Sequence, residues 1–296
     1  MISDRLTEKY ESYTTVIPVY FKETARNLKK CVDSVYSQTV LPEEVFLVCD
    51  GPLTQELDEA IICLSKKYGS FRVYRLDENK GAAVAFQKGM DLSHTDLIEK
   101  LGSDDVCRPC RAELLLNEFA EDPKLAVVGG YMQMYREDAG DCGDIRVVPS
   151  TPESIVKFSK RRNPFNDTTV ILRKSAANVV GGYDPSMIRA QDYELYTRII
   201  HSGYRVKNIP IVLCDAQEDE KAILRRKTWI HTRCFVKVRW RIFRNGFSGL
   251  LDFLVPCVLQ LFIMILPASV CLSSYRIHLR KQKGICNDCL LYTSPS

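Results

Sequence analysis

LIEKLGSDDVCRP, residues 97–109, is the stretch on which the fold turns. LIEKL (97–101) reads as a short apolar strand, and the chain then enters a polar loop with two adjacent carboxylates, Asp104 and Asp105. Carboxylates paired at a strand end make a hard-oxygen site suited to Mg²⁺ or Mn²⁺. Mg²⁺ in particular is held by one or two carboxylates, with substrate phosphates completing its shell. Loop aspartates that cap the next helix would look the same, and this stretch alone leaves the two readings balanced.

Working outward, the residues before it alternate in period. TTVIPVY (14–20) is a compact apolar strand, and NLKKCVDSVYSQ then places Leu28, Cys31, Val32, Val35 and Tyr36 on one helical face. VFLVCD (45–50) is the next strand; Thr54 is placed to cap the helix QELDEAIICLSKKY and Gly69 to end it. FRVYRL (71–76) and the helix within GAAVAFQKGMDL lead back to LIEKL. Strands alternating with helices predict an α/β fold, a parallel sheet wound with helices. Ligands of such sheets bind at the carboxyl ends of the strands. That singles out Tyr20 to Glu23, Asp50-Gly51, Asp77 to Gly81 and Ser103 to Asp105. Further on, LAVVGGYMQMY (125–135) and TTVILRK (168–174) read as strands. DAGDCGD (138–144) reads as a mobile loop, and AQDYELYTRIIHSG (190–203) as a helix closed by glycine.

Three local signals are weak alone. Asp50-Gly51 offers an acceptor for a ring N–H or a ribose hydroxyl, or is a common Asp-Gly turn. Asn79-Lys80-Gly81 opens a helix whose N-terminus can face a phosphate. Gln191-Asp192-Tyr193 offers a general base, against an aspartate favoured at that place by the helix dipole.

The 296 residues are 46% hydrophobic and 26% charged, as in ordinary globular proteins, and a net charge of +4 is too mild to indicate nucleic acid. The charge is uneven. Lys221 to Arg244 holds nine Lys or Arg and no acid, a pattern common on solvated helix faces. Residues 249–272 follow as an apolar run, uncharged from Phe253 to Leu272 and interrupted by Pro256, Gln260 and Pro267. It reads as an in-plane interfacial anchor, a membrane span, or a helix buried against the main domain. The N-terminus shows no signal-peptide h-region, so the twelve cysteines read as reduced thiols of a cytosolic protein. The pairs Cys107/Cys110 and Cys286/Cys289 are too far apart for a zinc ribbon. DCLLYTSPS (288–296) resembles translated sequencing-adapter read-through and reads as non-native.

Taken in order, VIPVYFKE, LVCDGP, ENKGAAVAFQKG, GSDDVCRP, NPFNDTTV, GGYD and QDYELYTRI resemble glycosyltransferase family 2 enzymes of the GT-A fold. The resemblance covers about residues 13–215 and is nearest the capsular and exopolysaccharide branch, including amylovoran-type enzymes; CDGPLTQELDEAI carries that likeness. It implies a Rossmann-like, mainly parallel sheet flanked by helices. It further implies a GT-A domain over 1–218, a helical, membrane-associating extension over 219–283 and a tail over 284–296. By position, Pro18, Tyr20 and Glu23 match the first nucleotide-binding loop. Asp50, with Gly51, matches the carboxylate that reads the base, and Asn79 and Gly81 the nucleotide and sugar-phosphate pocket. Ser103 and Asp104 match the end of the DXD motif, with Asp104 on the metal and Asp105 beside it; Asp192 matches the catalytic base.

Three departures stand out. Gly102 replaces a common Asp, which puts a metal or ribose contact in doubt. Asp167-Thr168 replaces a common His-Pro and, with Gln191 in place of the more usual Glu, reshapes the acceptor side. The QxxRW motif of processive synthases is missing, since RRKTW (225–229) does not match it. The resemblance therefore implies an inverting enzyme that uses Mn²⁺ or Mg²⁺ to move one sugar from a UDP-sugar to a saccharide or lipid-linked acceptor in bacterial surface polysaccharide synthesis. It would sit in the cytoplasm, peripheral to or anchored at the inner face of the plasma membrane. From their Gly- and Asp-rich composition alone, residues 138–150 read as a lid that excludes water. Two other readings stay open: a degenerate, non-catalytic nucleotide binder, and a sugar-phosphate nucleotidyltransferase, though VIPVYFKE lacks that class's glycine-rich phosphate loop.

Overall fold

The computed structural model describes residues 10–135, 144–217 and 227–267, with 269–271 and 273 beyond them. Residues 138–143 of the proposed lid, and both cysteines of the second CxxC pair, lie outside the described residues.

The first half follows the expected rhythm: β1 (Tyr13–Val19), α1 (Ala25–Val35), β2 (Glu44–Cys49), α2 (Gln55–Lys67), β3 (Phe71–Arg75), α3 (Ala82–Leu92) and β4 (Leu97–Lys100). Short polar side chains set the helix starts, as Thr24 Oγ1 accepts the Asn27 N–H at 3.2 Å and Thr54 Oγ1 that of Leu57 at 3.4 Å. α2 ends at Lys67, where Tyr68 turns extended; Gly69 is not the left-handed terminator expected of it. β1 alternates between two cores. Val16 packs with Phe86 and Met90 of α3, while Ile17 and Val19 pack with Leu28, Val32, Leu57 and Ile61 of α1 and α2. Gly89 lets α3 lie close on the sheet, since a Cβ there would meet Val16 Cγ1 at 2.3 Å. Pro18 lies past the last β1–β4 pair, Val16 with Lys100, so its missing N–H takes nothing from that ladder.

The second half departs from a simple winding. It contains β5 (Val106–Cys107), α4 (Arg111–Glu121), β6 (Leu125–Tyr135), β7 (Ile145–Arg146), α5 (Pro152–Ser159), a 3-10 turn (Asp167–Thr169), β8 (Ile171–Arg173), α6 (Lys174–Val179), α7 (Gln191–His201) and β9 (Arg205–Gln217). The sheet runs β3-β2-β1-β4-β8-β6-β9-β5, with β7 on β6. β1 to β4 pair in parallel, as do β6 and β9, whereas β8 is antiparallel to both β4 and β6, and β5 to β9. The sheet is thus mixed, and the expectation of a mainly parallel one holds for its first half only. TTVILRK shrinks to the three residues of β8 because the 3-10 turn takes its start.

The chain steps from β1 outward to β2 and β3, then returns to β4 on the other flank of β1. The crevice at this switch point, beyond the carboxyl ends of β1, β2 and β4, is where an open α/β sheet binds ligands.

The extension forms α8 (Trp229–Arg244) and α9 (Leu250–Ile265). α8 is not a wholly solvated face. Cys234, Val238 and Ile242 pack on Met187 and Tyr193, and buried Arg239 stacks 3.8 Å from the Phe235 ring and donates to the Arg161 carbonyl. Arg241 pairs with Asp184 at 2.7 Å and Glu194 at 2.9 Å, tying α8 to α7. α9 rests on α8 through Pro256, Cys257 and Gln260, whose amide donates to Thr232 at 3.1 Å. Sixteen residues make a helix of roughly 24 Å. Among the described residues no helix is long and apolar enough to cross a membrane.

Candidate active site

The loop after β4 builds the first part of the site. Ser103 Oγ donates to Glu23 Oε2 at 3.1 Å, tying this loop to the one after β1. Asp104 is half-buried, and its carbonyl accepts from the Tyr135 hydroxyl at 3.1 Å. Asp105 is buried beside it. Burial, then the neighbouring Asp104 carboxylate, pushes Asp105 up to about 8; Thr168 and Arg111 pull the other way. A divalent cation relieves such a crowding of carboxylates. Among the described residues no cluster of three or more His, Cys, Asp or Glu side chains stands ready to hold an ion. The Asp104–Asp105 pair is of the chemistry that could hold Mg²⁺ or Mn²⁺ if substrate oxygens supplied the rest of the shell. Cys107 is buried under Arg111, whose guanidinium donates to its Sγ at 2.9 Å, and Cys110 faces solvent.

The loop after β2 builds the second part. Asp50 is buried, and its carboxylate accepts the backbone N–H groups of Lys80 at 2.7 Å and Gly81 at 3.0 Å, holding the turn that leads into α3. Asn79 Nδ2 donates to the Asp50 carbonyl at 3.3 Å. Gly51 is needed here: its φ is +87°, and a Cβ would meet the Asn79 nitrogen at 2.7 Å. Asp50, Gly51, Asn79 and Gly81 thus form one unit. A carboxylate has about four lone-pair sites, so the two amide bonds leave Asp50 able to accept from a base. Tyr20 is 36% exposed, with its ring edge-on to Phe21 at 5.8 Å.

The third part is the start of α7. Ala190 precedes it in the left-handed region at φ 58°, a strained conformation for a residue with a Cβ. Asp192 is buried, and its Oδ1 accepts from the Lys100 ammonium and, at 3.0 Å, from the Tyr183 hydroxyl. Its Oδ2 accepts the Gln191 amide at 3.1 Å, so the glutamine adds a donor to this carboxylate rather than a second negative charge. Lys100 ends β4, two residues before Gly102, so one strand links the carboxylate pair to Asp192. Asp167 completes the group, with Asn163 Nδ2 2.9 Å from its Oδ1. Burial first, then the nearby Asp192 carboxylate, pushes it up to about 7, while Lys100 draws it down. Next to it, Thr168 Oγ1 accepts the Gly102 N–H at 3.4 Å. The reading from residues alone passed over Lys100, and named Thr168 and Tyr183 only within the motifs NPFNDTTV and GGYD. The available signal was a lysine inside an apolar strand.

A cavity of about 520 Å³ lies on the other side of α7, lined by Asp184, Glu194, Arg198 and Arg241 among others. Their charges are used in pairing with one another, so this cavity belongs to the α7–α8 seam rather than to the site.

The profile of glycosyl transferase family 2 matches residues 14–178, more than half of the chain. The chain belongs to that family. This glycosyltransferase is 27% identical over 264 residues to the Escherichia coli UDP-Gal:α-D-GlcNAc-diphosphoundecaprenol β-1,3-galactosyltransferase, covering 89% of this chain and 95% of that one. It is 26% identical over 253 residues to the amylovoran biosynthesis glycosyltransferase AmsE of Erwinia amylovora, covering 84% and 94%. Among solved structures, a Pyrobaculum calidifontis mannosyltransferase in complex with GDP-Man and Mn²⁺ superposes with a TM-score of 0.61 at 15% identity. That superposition covers 98% of this chain and 86% of the other, which shows the GT-A-like α/β fold.

Proposed function

We propose that this glycosyltransferase is an inverting enzyme. It moves one sugar from a UDP-sugar to a saccharide or lipid-linked acceptor in bacterial surface polysaccharide synthesis. The observation that carries the reading is the joining, through β4, of the Asp104–Asp105 pair to the anchored carboxylate of Asp192.

Asp50, Gly51, Asn79 and Gly81 line the uridine side, with Pro18, Tyr20 and Glu23 closing it from β1. Asp104 and Asp105 hold the divalent metal, which when bound supplies positive charge for the diphosphate leaving group. Asp192 takes the proton of the acceptor hydroxyl as that oxygen attacks the anomeric carbon from the face opposite the nucleotide, and the single displacement inverts the centre. Asp167 and Gln191 border the acceptor. The activity for which the Escherichia coli relative is named, UDP-Gal onto a diphosphoundecaprenol-linked sugar, supports the donor and acceptor classes. The Mn²⁺ in the mannosyltransferase complex supports the metal.

A lipid-linked acceptor supports a position at the cytoplasmic face of the membrane. α9 supports an in-plane anchor, since it exposes Leu251, Leu254, Val258, Phe262 and Ile265 along one side, and α8, on which it rests, exposes Arg233 and Arg244. Gly102 favours one second reading, a nucleotide-binding protein without turnover. Incubation with UDP-galactose, UDP-glucose or UDP-N-acetylglucosamine and a synthetic GlcNAc-diphospholipid separates the two. Transfer with an inverted anomeric centre supports the enzyme; tight UDP binding with no transfer to any sugar acceptor supports the second reading.

A further inference from the structure

We propose that Lys100 is the positioning residue of the catalytic base: its ammonium anchors Oδ1 of Asp192 and leaves Oδ2 to receive the acceptor proton. The inference rests on Asp192 acting as the base.

Lys100 is 1% exposed. Its ammonium lies 4.4 Å from the ring centre of Phe86, 5.2 Å from that of Tyr183 and 5.5 Å from that of Tyr196, with the Tyr196 hydroxyl at 3.4 Å. A lone ammonium in such a place is very costly, and even a paired one gives little stability over apolar residues of the same size. A lysine there therefore calls for another reason, and its partner supplies it. Three aromatic faces stabilise the cation and fix its place. Tyr183 adds a second donor to the same oxygen, Oδ1. Two donors on one oxygen fix the plane of the carboxylate, and the Gln191 amide at Oδ2 is half-buried at the mouth of the site. The other charged residue of the strand has a different partner. Glu99 faces the opposite side of the sheet and pairs with buried Arg111 at 3.2 Å, so β4 carries one structural ion pair and one at the base. Because Lys100 is rooted two residues before Gly102, the same strand sets the base relative to the diphosphate end of the donor.

The first test needs no substrate. In ¹⁵N-lysine spectra of the full chain, a buried, paired ammonium gives a solvent-protected Nζ signal. That signal should vanish in Lys100→Arg, shift or vanish in Asp192→Asn, and stay in place in Asp50→Asn. A Lys100 signal indifferent to Asp192→Asn overturns the proposal, whatever the donor proves to be. The second test uses UDP-galactose with the GlcNAc-diphospholipid. Lys100→Met should lower kcat roughly a hundredfold, the size of a lost base contribution, with donor KM and calorimetric UDP affinity held within about twofold. Lys100→Arg should recover most of that loss. In an Asp192→Asn background Lys100→Met should cost nothing further, since the two act as one unit. Additive losses, or a fall in UDP affinity equal to the fall in kcat, would make Lys100 merely structural. If Lys100→Met does not fold, Tyr183→Phe, which removes the other donor to Oδ1, must show the same split between kcat and KM, and its failure to do so overturns the proposal.

Discussion

Asp105 occupies the space in which a side chain on Gly102 would begin: a Cβ there lies 2.4 Å from Oδ2 of Asp105 and 3.1 Å from Oδ1 of Asp104. The residue that departs from the family pattern and the carboxylate beside it therefore share one volume. Gly102→Asp must push the Asp105 carboxylate aside and set three acids together. Without metal, their repulsion should lower the melting temperature by a few degrees, about 1 kcal/mol in a chain of this size. With millimolar Mn²⁺ the variant should gain more than the wild type, because a cation bound only by the folded state stabilises it. Melting curves in EDTA and in Mn²⁺ decide it; equal shifts for both proteins would show that Gly102 does not limit the metal.

Asp50 holds the turn into α3, and in the proposed function it also reads the nucleotide; two substitutions separate these roles. Asp50→Ala removes the acceptor for two backbone N–H groups and should cost about 1–2 kcal/mol in denaturant unfolding as well as UDP affinity. Asp50→Asn keeps one acceptor, so it should remain close to wild type in stability while UDP binding falls roughly tenfold, the worth of one charged hydrogen bond. Loss of stability without loss of UDP binding in Asp50→Ala would leave Asp50 only its role in holding the turn before α3.

Asp167 should make stability depend on pH. Its folded value, pushed up to about 7 by burial and by Asp192, lies above the unfolded value near 4. The folded state then holds the proton more tightly. The carboxyl's contribution is full below about pH 4 and is lost as the pH rises to about 7. Asp167→Asn removes this term. The melting temperature of wild type minus that of the variant should fall between pH 4 and 7 and then level off. A difference that does not vary with pH would show that Asp167 is not crowded by Asp192.

Leu254 and Phe262 are 43% and 59% exposed on α9. Burying each in a lipid interface contributes about 1.5–3 kcal/mol, so Leu254→Glu with Phe262→Glu should weaken binding to anionic vesicles at least roughly tenfold. The melting temperature should hardly move, because neither side chain is in the core. Unchanged co-sedimentation would mean that α9 is not the anchor.

Much of the fold is legible because local and global signals agree. β1, β2 and β6 are apolar runs bounded by polar turns, and Thr24 and Thr54 stand where helix donors need acceptors. β9 is hidden by Pro210, which argues against a strand. In the structure β6 pairs Gly130 with Ile209 and then Tyr131 with Val212, so Pro210 and Ile211 drop out of the register and the strand continues. The mixed pairing is equally hidden, since whether β8 enters the sheet parallel or antiparallel depends on its long-range neighbours. In the site, the order of motifs marks Asp50, Asp104 and Asp192. Spacing alone carries no trace of Lys100, which ends a strand and whose partner lies 92 residues away on a helix.

Calorimetric titration of UDP into wild type and Asp104→Ala, each with and without Mn²⁺ and with GDP as control, tests the central claim most directly. The account predicts binding of UDP over GDP that strengthens with Mn²⁺ in the wild type and loses that metal dependence in Asp104→Ala. UDP binding that is indifferent to Mn²⁺ and to Asp104→Ala, or no nucleotide binding at all, would contradict it.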